Sequence, residues 1–106
     1  MNSQFRLLGV AWYTQEDYER CRAMFVDAEV LPASYMDWKN QVEQFRERCI
    51  RQGIGVIQAY IDPNVFPDWC VANGCKADAD GRDTFASDLA GRVMMERSRE
   101  RDQMRE

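Results

Sequence analysis

The stretch S-Y-M-D-W-K-N-Q-V-E-Q-F-R-E-R-C-I-R-Q-G-I-G-V-I-Q-A-Y-I, Ser34 to Ile61, changes its hydrophobic period once, at Gly53. Before that glycine, Tyr35, Trp38, Val42, Phe45 and Cys49 recur at alternating steps of three and four, the spacing of one helical face. Lys39, Asn40, Glu43, Gln44, Glu47 and Arg51 take the opposite face. Ser34 begins a capping sequence with acid at its third position, and Gly53 closes the segment. Beyond it, Ile54 to Ile61 is rich in β-branched and aromatic residues and reads as a strand. An amphipathic helix feeding an apolar strand sets the class as α+β.

Toward the N-terminus, Phe5 to Trp12 is short and apolar and reads as a first strand. T-Q-E-D from Thr14 resembles a capping box with Asp in place of Glu, and Tyr18, Cys21, Arg22 and Phe25 follow on one helical face. That helix stops in D-A-E-V-L-P, because Pro32 disfavours helical geometry at Leu31. Toward the C-terminus, Asp62-Pro63 ends the second strand. Pro67 would lack a backbone donor inside a helix begun at Pro63, so Pro63 to Phe66 is expected as one 3₁₀-like turn. A short helix from Pro67 to Asn73 follows, with Gly74 as its stop. A fourth helix starts in D-A-D-G-R-D and runs through Phe85, Leu89 and Val93. After Met95, four acids alternate with four arginines and a single Met, with no apolar stripe. Residues 1–95 are therefore expected as one α+β domain of about four helices and a two-stranded sheet. Residues 96–106 are expected as a charged tail, frayed or disordered.

A chain of 106 residues can bury a core without staples, and 45% hydrophobic and 11% aromatic residues are too rich for disorder. The net charge of −4, with arginines interleaved among acids, argues against a nucleic-acid partner or an anionic membrane surface. The N-terminal residues lack the pattern of a signal peptide, and no run reaches the ~18 apolar residues of a membrane span. A cytoplasmic location is the expectation, and there the four cysteines are thiols. No histidine is present, which removes the commonest general base, nucleophile activator and metal ligand.

Few residues then carry chemistry. Cys70 and Cys75, separated by four residues that include Gly74, have the outline of half a zinc knuckle or of a redox pair. A closed metal site would need Cys21 and Cys49 or a carboxylate as well, and both those thiols lie on apolar helix faces. Packing is the preferred reading, with Trp69 as the buried anchor of the short helix and no cofactor expected. D-A-D-G-R-D fails as a calcium loop, since Lys76 would stand at the first ligand position, and its acids suit a helix N-terminus. Asp17 and Asp37 are explained as first-turn residues and mark no catalytic acid pair. Trp12 and Tyr13 end the first strand, while Tyr60 and Asp62 end the second. Parallel strands would bring these four together as a ligand pocket. A hairpin of two helices between the strands would instead return the second strand antiparallel and separate them, and that is the expected topology.

A-W-Y-T-Q-E-D-Y, L-P-A-S-Y-M-D-W and I-D-P-N-V-F-P-D-W-C together resemble small bacterial conserved-hypothetical proteins, over most of the chain up to about Leu89. The resemblance implies a stand-alone bacterial protein and no particular activity. Two strands leave open edges, which proteins cover with a helix, a partner's strand or a second copy. The missing catalytic groups and these edges favour a protein-interaction or regulatory module acting as a homodimer, rather than an enzyme. The alternatives are a small-ligand-binding protein or enzyme using Trp12, Tyr13, Tyr60 and Asp62, and a cysteine-based metal or redox protein using Cys70 and Cys75.

Overall fold

The computed structural model describes residues 6–104, with side chains over residues 6–99. Its elements are β1 (Arg6–Trp12), α1 (Tyr18–Met24), a 3₁₀ turn (Ala28–Val30), α2 (Tyr35–Arg51), β2 (Ile54–Tyr60), α3 (Phe66–Asn73) and α4 (Ala79–Met104). The fold is α+β, with four α-helices and a two-stranded sheet among the described residues.

Local signals set most boundaries. The Asp37 N–H donates to Ser34 Oγ at 3.1 Å and caps α2. Gly53 follows α2 with φ +80°, and Gly74 ends α3 with φ +67°, both in the left-handed region that favours glycine. The turn before α3 and the position of Pro67 in its first turn agree with the proline reading. Thr14 acts differently from expectation. Its Oγ1 accepts the Asp17 N–H at 3.2 Å within a turn, so α1 starts only at Tyr18 and Phe25 falls beyond its last residue.

β1 and β2 pair in parallel, with Arg6 opposite Ile54 and Trp12 opposite Tyr60, which overturns the antiparallel expectation. The reason is length. α1 has seven residues, whereas the 17 of α2 span about 25 Å, close to the roughly 23 Å of a seven-residue strand. One helix makes the return journey, so the second strand leaves in the direction of the first.

α2 and α4 cover opposite faces of this ribbon. A Cβ on Gly9 would overlap the Ala86 carbonyl and lie 3.2 Å from the Ala90 Cβ, so α4 approaches the β1 backbone directly. Residues of a strand alternate in direction, so Leu8, Val10 and Trp12 point to the other face. There Trp12 meets Trp38 of α2 edge-on, 5.5 Å between ring centres. Tyr13, Tyr18, Phe25 and Phe66 extend this aromatic core through further edge-on or tilted contacts. The anchor of α3 is Phe66, 1% exposed, and not Trp69. Trp69 is only partly buried and stacks on Phe66 at 6.0 Å, on the same face of a helix that begins one residue before Pro67.

Candidate interaction edge

The Ile61 N–H donates to the Trp12 carbonyl at 3.0 Å. In a parallel ladder a residue sends its N–H and C=O to the same side, and its neighbours send theirs to the other. Leu8, Val10 and Trp12 therefore bond to β2, while Leu7, Gly9 and Ala11 direct their backbone groups outward. Among the described residues, none of those outward groups has a hydrogen-bond partner. An unpaired strand edge is a template for another strand.

A cleft of about 450 Å³ lies along this edge, floored by Leu8 to Ala11. Trp38, Val42 and Phe45 of α2 form one wall, and Arg82, Asp83 and Ser87 of α4 contribute to the other. The α2 wall is thus apolar and the α4 wall polar. Leu8 stands at the strand with 38% of its surface exposed.

The buried charge beside the cleft is already neutralised. Arg82, 5% exposed, grips Asp27 through two hydrogen bonds of 2.8 and 3.0 Å. Its guanidinium lies 4.5 Å from the centre of the Phe25 ring. Asp27 also accepts the Ala79 N–H at 2.9 Å, and the Val26 N–H donates to the Ala77 carbonyl at 3.0 Å. Together these contacts fasten the segment after α1 to the start of α4. The hydrogen bond from Arg82 is the main cause that holds the Asp27 carboxyl below its ordinary pKa. Sequence reading missed this pair, whose partners are 55 residues apart. An arginine inside an acid-rich helix start carries no local sign of burial.

Tyr13 also lines the cleft. Burial pushes its phenol well above the ordinary value, against the opposing pull of Arg82, so at neutral pH it can only act as a protonated group. Its hydroxyl has no hydrogen-bond partner among the described residues. By contrast, the Tyr18 hydroxyl donates to the Pro32 carbonyl. The Cys21 thiol, pushed up to about 12 by burial, donates to the Ile61 carbonyl at 3.5 Å and behaves as a packed group.

The four residues read as a ligand site are placed as follows. Trp12 and Tyr13 are 1% and 2% exposed within the aromatic core, and parallel pairing sets Trp12 opposite Tyr60. Tyr60 is half exposed, with its hydroxyl 3.3 Å from Gln58 Oε1. Asp62 is exposed, and its carboxylate accepts the Asn64 N–H at 2.9 Å in the turn before α3. Tyr13 is the member of this group that borders the cleft on β1. Cys70 is buried at the end of α3 and Cys75 is partly exposed just past it, both as free thiols. Among the described residues, no three histidine, cysteine or acidic side chains are grouped so as to hold a metal ion. No helix there is long and apolar enough to cross a membrane. Comparison of the chain with protein-family models, curated proteins and solved structures finds no match.

Proposed function

We propose that this chain is a small cytoplasmic interaction module that pairs β1 with β1 of a second copy, building one sheet across a two-fold axis. The open edge of β1 carries this proposal: the backbone groups of Leu7, Gly9 and Ala11 face a cleft with an apolar wall. Antiparallel pairing of two such edges would satisfy both sets of backbone groups at once. It would also bring Leu8 and Phe45 toward their own symmetry mates and cover apolar surface. Light scattering on a size-exclusion column, under reducing conditions, is expected to give twice the chain mass. Leu7→Pro removes an outward N–H and none that bonds to β2, so it should yield a folded monomer. A wild-type monomer would overturn the proposal.

A second proposal is a ligand site at the C-terminal ends of the strands, formed by Trp12, Tyr13, Tyr60 and Asp62. The parallel register, which sets Trp12 beside Tyr60, favours it. Thermal-shift screening of small polar aromatics, with Tyr60→Ala and Asp62→Asn as controls, tests it. A stabilising compound should lose its effect in both variants.

A further inference from the structure

α3 ends in a Schellman motif whose two contacting positions are both cysteine. The Cys75 N–H donates to the Cys70 carbonyl at 2.9 Å and the Gly74 N–H to the Val71 carbonyl at 3.4 Å, around the left-handed Gly74. That pair of bonds makes Cys70 the third residue from the helix end and Cys75 the second residue beyond the cap. These are the positions whose side chains ordinarily meet in an apolar contact. The Cys70 thiol donates to the Lys76 carbonyl at 3.8 Å and the Cys75 thiol to the Asn73 carbonyl at 3.6 Å, so both sulfurs bond to carbonyls of the same turn. With a 2.9 Å hydrogen bond between them and standard bond lengths, the two Cα atoms are no more than about 7 Å apart. That is within the reach of a disulfide.

The two thiols differ in access. Cys70 is 4% exposed within the core, and Cys75 is partly exposed on its rim. Burial raises the Cys70 pKa, and the neighbouring Cys75 adds to the shift, so the inner group rests as a thiol. The outer thiol can meet a reagent, and the inner one is placed to complete an exchange.

We infer that Cys70 and Cys75 form a thiol–disulfide exchange site whose substrate is a low-molecular-weight disulfide. The Cys75 thiolate attacks one sulfur of the reagent, forms a mixed disulfide and expels the first thiolate, which takes up the proton lost by Cys75. Deprotonated Cys70 then attacks Cys75 Sγ, closes the Cys70–Cys75 bond and expels the second thiolate. The protein loses two electrons and two protons, and the reagent is reduced to two thiols. This site is independent of the β1 edge.

The full-length reduced protein is incubated with glutathione disulfide, its remaining thiols are alkylated, and the chain is cut with trypsin without reductant. Residues 52–76 form one tryptic peptide that holds Cys70 and Cys75 and neither other cysteine. This peptide is expected to lose two hydrogens and take no alkyl label, while Cys21 is labelled fully after unfolding. Cys70→Ser should halt at a glutathione adduct on Cys75. Cys75→Ser should leave Cys70 free of adduct and guards against misfolding of the first variant. A wild-type peptide carrying two alkyl labels, or a lasting glutathione adduct, would overturn the inference. So would oxidation that occurs only in urea.

Discussion

The two faces of the sheet are packed by opposite means. Toward α4 the contact is made of small groups: Gly9 against Ala86 and Ala90, with Ala59 fully buried. Toward α2 it is made of rings, Trp12 and Tyr13 against Trp38 at 5.5 and 5.0 Å. Small residues let a helix lie directly on the strand backbone, and that geometry tolerates no added atom. Rings interlock over a greater depth, and their outer margin borders the cleft along β1. One face therefore fixes the fold by exclusion, and the other by area.

Substitutions that shrink one face or swell the other test this contrast. Trp38→Ala removes the hub of the aromatic side and should cost about 4 kcal/mol in urea unfolding. Gly9→Ala adds a single carbon to the small-residue side, yet it should cost about 3 kcal/mol because the obstacle is helix backbone. Gly9→Ala within about 0.5 kcal/mol of wild type would show that α4 can lift away. Asp27→Asn, read from the same curves, should cost about 2–3 kcal/mol by leaving the largely buried Arg82 without its anion. Tyr13→Phe should change stability by less than about 0.5 kcal/mol, since the hydroxyl it deletes has no internal partner.

The Asp27 variant also carries a pH signature. Its carboxyl titrates below the ordinary 3.8 when folded, so its contribution is complete above that value and disappears as pH falls through the lower folded pKa. The Tm difference between wild type and Asp27→Asn should be constant from about pH 5 to 8 and narrow below about pH 4. A difference that widens on acidification would mean the carboxyl is not held down by Arg82.

What could be read from the chain alone follows from range. The change of period at Gly53, the Ser34 cap and the Gly74 stop are signals within a few residues, and each governs a few residues of backbone. Strand direction depended on whether α1 or α2 made the return, which only their realised lengths decide. Phe66 and Trp69 lie three residues apart on one helical face, and the deeper place falls to Phe66, which meets Phe25 in the core. The Arg82–Asp27 pair left no local trace at all. At the β1 edge, the open strand was foreseeable from a count of two strands, whereas the identity of the outward groups needed the register.

The parallel register has a consequence in time. Every rung from Arg6↔Ile54 to Trp12↔Tyr60 joins residues 48 positions apart, 54 less 6 and 60 less 12. No turn can zip this sheet, so its closure is a non-local step of the kind that slows folding. On the ribosome β1 is made long before β2, and through that interval both of its edges wait for a partner.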